Sequence, residues 1–132
     1  MASTLARVVL DAFTGEVMWD GCDIRIVLAG SADLGSEESL RELLRDAHAR
    51  ARLLGPQRAI IDLRALRFMN SSCICAFLDW TNTASGERVE DQYPIHVLWD
   101  PKNGWERRSL DAIVRVASGR VALEPPITRS GP

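Results

Sequence analysis

Residues 59–83, AIIDLRALRFMNSSCICAFLDWTNT, constrain the fold of this chain more than any other stretch. Ala59 to Leu63 is apolar except for Asp62, which predicts a short strand covered on both faces. Leu66, Phe68 and Met69 carry the apolar character through a turn. Asn70, Ser71 and Ser72 are each favourable N-cap residues. Ile74, Phe77, Leu78 and Thr81 then fall at i, i+3, i+4 and i+7, the spacing of a helix with one buried stripe. Ser71 and Ser72 are thereby placed where unpaired backbone N–H groups and the positive end of a helix dipole meet solvent. A phosphate on either serine would find those donors in place, whereas the plainer reading is that the serines only cap the helix.

The flanking elements alternate in type. Met1 to Ala6 reads as loose, Val8 to Leu10 as a short strand, Thr14-Gly15 as a turn and Val17 to Trp19 as the returning hairpin strand. Asp20-Gly21 is a second turn, and Ile24, Ile26 and Leu28 alternate along a strand. Ser36 is a candidate N-cap with Glu37 and Glu38 in the first turn behind it. Leu40, Leu43, Leu44, Ala47, Ala51 and Leu54 mark the buried face of that helix, and Arg41, Arg45, Arg50 and Arg52 its other side. Gly55-Pro56 ends it. Gly86 to Gln92 is a polar connector, and Ile95 to Trp99 a strand opened by Pro94. Asp100-Pro101 suits a helix start that Asn103-Gly104 can delay. A helix over 107–118 with Leu110, Ile113, Val114 and Ala117 inward, capped by Gly119, and an edge strand over Val121 to Leu123 complete the order. The expectation is an α/β single domain over 1–123: a mixed, mostly parallel sheet of about four to five strands with about three main helices. Residues 124–132 are too poor in apolar side chains to pack and read as a disordered C-terminal tail.

Composition removes several function classes. A net charge of −2 with 26% charged residues gives no general attraction to nucleic acid or anionic membrane. No stretch approaches the roughly 18 apolar residues of a membrane span. The first apolar stretch is interrupted by Arg7 and Asp11, unlike a signal peptide. Three cysteines, two of them in Cys73-Ile74-Cys75, do not make a disulfide framework and fit a reducing cytoplasm. Residues i and i+2 on a helix project roughly 200° apart, so Cys73 and Cys75 cannot share an ion. His48 and His96 lie in separate elements, and no metal site or cofactor is expected. Phosphate-binding loops, dinucleotide fingerprints and nucleophile elbows are absent, so no catalytic residue is assigned.

The central stretch resembles the switch region of the STAS domain family, the anti-sigma factor antagonists. That family carries a strand ending in aspartate, then Phe-(Met/Ile)-Asp-Ser-Ser-Gly at a helix start; here the segment is Ile60-Ile61-Asp62 through Phe68-Met69-Asn70-Ser71-Ser72-Cys73. Leu28-Ala29-Gly30-Ser31-Ala32-Asp33 is similar to the family's Leu-x-Gly-Glu-Leu-Asp. The order of elements matches from about Asp23 to Ser118.

The resemblance implies a non-enzymatic regulatory binding protein that docks an anti-sigma factor or a related serine kinase. Phosphorylation controls it and a phosphatase resets it. Ser71 maps to the phosphoacceptor, with Ser72 as second choice, and Asp33 to the family's loop aspartate. Asn70 stands in place of the aspartate, and Cys73 in place of the glycine, where its side chain is expected to narrow access to the helix N-terminus. Asp33, Asn70, Ser71, Ser72, Cys73, Ala76 and Trp80 are the expected partner-binding residues. Of these, Cys73, Ala76 and Trp80 form a second helical stripe that is a docking surface if exposed and ordinary core if covered. The alternatives are an unphosphorylated STAS adaptor, as in a lipid-transport ATPase complex or signalling assembly, or a nucleotide or small-anion sensor. The sequence does not set the oligomeric state.

Overall fold

A hairpin opens the chain, and a glycine decides how it packs. In the structure, a computed structural model that describes residues 3–86, 92–103, 108–111 and 121–124, β1 (Ser3–Val9) and β2 (Phe13–Trp19) pair antiparallel. The turn is at 10–12, where the Leu10 N–H donates to the Phe13 carbonyl at 2.8 Å. Thr14-Gly15, expected as the turn, lies inside β2 opposite Val9 and Val8. Gly15 serves packing: a Cβ there would lie 2.6 Å from Leu43 Cδ2, so its absence lets the first helix settle on the hairpin. The expected loose start is likewise strand from Ser3 onward.

Asp20 shapes the next turn as expected, its carboxylate accepting from the N–H groups of Cys22 and Asp23. β3 (Asp23–Ala32) pairs antiparallel with β2 and parallel with β4 (Arg58–Met69). Its alternation buries Ile24, Ile26 and Leu28. Near its end Gly30 takes φ +89°, and a Cβ there would lie 2.1 Å from the Ala12 carbonyl oxygen. Only glycine fits beneath that carbonyl, which accepts from the Ser31 N–H at 2.7 Å.

α1 (Glu37–Leu54) buries Leu40, Leu43, Leu44, Ala47, His48 and Ala51, and each fully buried leucine contributes about 1.5–3 kcal/mol. Leu54, expected on the same face, is 39% exposed. The helix stops at Gly55 in the left-handed region, whose N–H donates to the Ala51 carbonyl. β4 departs from expectation. It is not a short strand followed by a turn but runs to Met69, its second half pairing with residues 29–32 of β3. Two register shifts in that ladder break the alternation, so Leu63, Leu66 and Met69 are buried at every third position.

α2 (Ser71–Ser85) follows directly and packs against α1. Its buried face is Cys73, Ala76, Phe77, Trp80, Thr81 and Ala84, turned from the predicted stripe, so that Ile74 and Leu78 are only half-buried. Phe77 and Trp80 meet edge to face with ring centroids 5.6 Å apart. β5 (Ile95–Leu98) and β6 (Val121–Glu124) extend the sheet in parallel, giving, among the described residues, six strands in the order β1-β2-β3-β4-β5-β6. The expected four to five strands become six among the described residues because both β1 and β6 are formed, and the sheet is antiparallel from β1 to β3 and parallel from β3 to β6. Residues 108–111 are helical, and Leu110 is buried. The connector over 87–91, the rest of the expected third helix and the expected tail from 125 lie outside the described residues.

Sheet residues Phe13, Val17, Ile26, Ile61 and Val97 share one core with Leu40, Leu44 and Phe77 of the helices. No helix among the described residues is long and apolar enough to cross a membrane.

Candidate functional site

Parallel strands β3 and β4 end side by side, which brings the Asp33 loop against the start of α2. The Asn70 N–H donates to the Ala32 carbonyl at 2.9 Å, so the cap of α2 is fastened to the residue before Asp33. Asn70 alone makes the side-chain cap: its Oδ1 accepts from the Cys73 N–H at 2.9 Å. Ser71 and Ser72 therefore occupy the first two helical positions, Ser71 exposed and Ser72 half-buried. Neither makes the cap, and the hydroxyl at the expected phosphoacceptor position makes no hydrogen bond among the described residues.

Asp33 caps a single 3-10 turn at 34–36. Its Oδ1 accepts from the Gly35 N–H at 3.1 Å and from the Ser36 hydroxyl at 3.3 Å. Ser36, expected to cap α1 with its side chain, is buried and spends that hydroxyl on Asp33 instead. Asp33 itself is exposed.

The second stripe is corrected by burial. Cys73 is 0%, Ala76 3% and Trp80 4% exposed, so these three belong to the core and not to a docking face. The reason is the rotation of α2, which turns this stripe inward. Cys73 does not narrow the helix N-terminus either. Its side chain points away from solvent, and its thiol donates to the Asp33 carbonyl at 3.4 Å. Burial first, then the nearby carboxylates of Glu37 and Asp33, push the thiol pKa up to about 11. Cys75 is exposed, so the two cysteines of the pair face different surroundings.

Asp62, on β4, is engaged by Arg64 of the same strand. Burial opposes ionisation of Asp62, but hydrogen bonds from the Arg64 guanidinium at 2.7 and 2.9 Å and from the Arg64 N–H outweigh it, and the carboxyl is held below its ordinary value. Arg67 and Phe68 are exposed on the approach to Asn70.

One part of the site was not singled out from sequence. Val9, Leu10, Asp11 and Ala12 line an open depression of about 400 Å³ together with Asp33, Gly35 and Ser36. Val9 is 64% exposed. Read as the end of a strand, this segment gave no signal; Gly30 was the clue, because its glycine permits the close approach of Ala12.

The surface thus formed is Asp33, Asn70, Ser71 and Ser72, bordered by the 9–12 turn. No protein-family model matches the sequence, and no curated protein matches it. Among solved structures the chain is similar to the crystal structure of an anti-sigma factor antagonist from Mycobacterium paratuberculosis. The two are 17% identical with a TM-score of 0.64, over 90% of this chain and 91% of that one. The chain therefore has a STAS-like fold, that of an anti-sigma factor antagonist.

Proposed function

We propose that this chain is a non-enzymatic regulatory binding protein of the anti-sigma factor antagonist type, switched by phosphorylation at Ser71 with Ser72 as the second acceptor. The observation that carries the reading is the division of labour at the start of α2. Asn70 makes the cap, so the Ser71 hydroxyl is exposed and free of structural duty.

In this reading the unmodified protein docks an anti-sigma factor or a related serine kinase through Asp33, Asn70, Ser71 and Ser72, with the 9–12 turn at the rim. The fold shared with an anti-sigma factor antagonist supports that class of partner. Phosphate on Ser71 adds about 1.5–2 negative charges where the partner must approach. The free N–H groups of the first turn hold that charge, so the modification changes the surface without unfolding α2. Repulsion releases the partner and a phosphatase restores the site. The same reading places the switch in the cytoplasm and treats residues 1–123 as one functional unit.

The test is a pull-down from native lysate with wild type, Ser71→Ala and Ser71→Asp, alongside mass spectrometry of the wild-type protein for phosphate. A kinase-like partner retained by wild type and Ser71→Ala but lost by Ser71→Asp supports the switch. The same partners on all three, with no phosphate on Ser71 or Ser72, would overturn it in favour of a fixed adaptor.

A further inference from the structure

Neighbouring strands of the sheet are unequal in length, and the difference leaves an edge in its interior. β4 has 12 residues and β5 has 4. Their ladder runs from Ala59↔Ile95 to Asp62↔Leu98 and ends there, whereas β4 continues to Met69 with β3 on its other side. Residues 64–69, about 20 Å of strand, therefore have a neighbour on one edge only among the described residues. Local bonding agrees. The Arg64 N–H donates to Asp62 Oδ1 at 3.0 Å and not to another strand, so a side chain closes the ladder where β5 stops. Beyond it no backbone group of 65–69 is bonded on that side among the described residues.

The side chains along this edge decide what it accepts. Phe68 is 46% exposed, and Ala65 is exposed and too small to shield the backbone. Arg64 is paired with Asp62 at 2.7 Å. Arg67 is exposed and makes no ion pair or hydrogen bond among the described residues. An open strand edge is a template for another strand, and a cation beside it turns away basic segments and favours acidic ones. Two segments of this chain are poor occupants on that ground. Residues 125–132 contain three prolines, which lack the N–H donor, and Arg129 without any acidic residue. The β1 edge of a second copy, Ser3–Val9, carries Arg7 and likewise no acid.

We infer that the 64–69 edge of β4 accepts an extended segment of a partner protein as an added strand, with an apolar side chain against Phe68 and an acidic one toward Arg67. Main-chain hydrogen bonds supply the attraction and the two side chains the selection. This goes beyond the proposed switch, because strand addition uses neither the Asp33 loop nor the serine hydroxyls and does not require phosphate on Ser71.

The test is an NMR titration of the full-length 15N-labelled protein with an acetylated and amidated octapeptide of alternating valine and glutamate. Saturable binding is expected, with slowed hydrogen exchange at amides within 64–69. Two further peptides, N-methylated at every valine or at every glutamate, each block one edge of the added strand, and at least one of them should bind at least tenfold more weakly. The valine–lysine octapeptide should also be at least tenfold weaker. Arg67→Glu, at an exposed position, should weaken the valine–glutamate peptide at least tenfold with the amide spectrum otherwise preserved, and Arg7→Glu on the β1 edge should leave it unchanged. No saturable binding, full retention by both N-methylated peptides, indifference to Arg67→Glu, or protection at 3–9 or 121–124 in place of 64–69 would each overturn the site. Protection of 64–69 that rises with protein concentration in the absence of peptide would also overturn it, and would make a second copy the occupant. Because no lysate partner or phosphate enters this titration, its failure and that of the Ser71 switch are read separately.

Discussion

The Cys73 thiol donates to the backbone carbonyl of Asp33 across 3.4 Å, so the loop after β3 and the first turn of α2 are joined from beneath the serine site. A glycine at this position would leave that carbonyl without its sulfur partner and the core without a buried side chain.

This burial fixes the reactivity of the thiols. With its pKa near 11, Cys73 is thiolate to roughly one part in a thousand at pH 8, while Cys22 and Cys75 are exposed. A thiol-reactive disulfide reagent should modify two groups quickly in the native protein, and the third only in denaturant. Between the ordinary thiol value of 9.0 and about 11 the folded state keeps a proton that the unfolded state has lost. Stability from this group should therefore decline as pH rises through that window, and the decline should be absent in Cys73→Ala, as read by urea unfolding at pH 8 and pH 10.5.

Asn70 is expected to behave as a cap before anything else. Asn70→Ala should cost about 0.5–2 kcal/mol, and Asn70→Asp should retain most of the stability because a carboxylate accepts the same N–H near the positive end of the dipole. Urea midpoints of the three proteins check this. A loss in Asn70→Asp as large as in Asn70→Ala would mean that the cap geometry is misassigned.

Gly15 and Gly30 should fail in different ways. Gly15→Ala presses a methyl on the end of the Leu43 side chain and should cost about 1–3 kcal/mol, and part of that should be recovered when Leu43 is shortened to Val in a double-mutant cycle. Gly30→Ala meets a backbone carbonyl at positive φ, so no side-chain change nearby should rescue it. Thermal midpoints of the single and double variants distinguish the two.

Asp62 carries an acid-side prediction. Its folded pKa lies below the ordinary 3.8 despite burial, because Arg64 bonds the ionised form. The stabilisation is present above 3.8 and lost as pH falls through the depressed folded value. The stability gap between wild type and Asp62→Asn at pH 7 should shrink toward pH 3, measured by denaturant titration at both.

Where one physical signal ruled a segment, its structure could be read from the residues. β3 alternates cleanly as far as Leu28, and α1 has a continuous leucine and alanine face closed by Gly55-Pro56, so both elements were legible, although β3 runs on through Gly30 to Ala32, where a loop of small residues is the plainer reading of the sequence. Asn70-Ser71-Ser72 announced a helix start, although three good caps in a row could not say which one would serve. The second half of β4 was illegible because register shifts against β3 bury every third residue, a pattern that belongs to neither regular strand nor helix. Gly15 looked like a turn because its reason, the approach of Leu43, lies 28 positions away. Cys73, Ala76 and Trp80 were ambiguous from periodicity alone, since α2 is apolar around much of its circumference and only the packed sheet and α1 select its inner side.

The strand order β1-β2-β3-β4-β5-β6 has a consequence for how the molecule is made. Among the described strands, each one after β1 pairs with the one synthesised before it, and none waits for a later one to be inserted between itself and its predecessor. A chain leaving the ribosome can extend its sheet at one growing edge, and each loop closes before the next is begun. The β3–β4 seam on which the serine site rests can be complete while the last strands are still being synthesised.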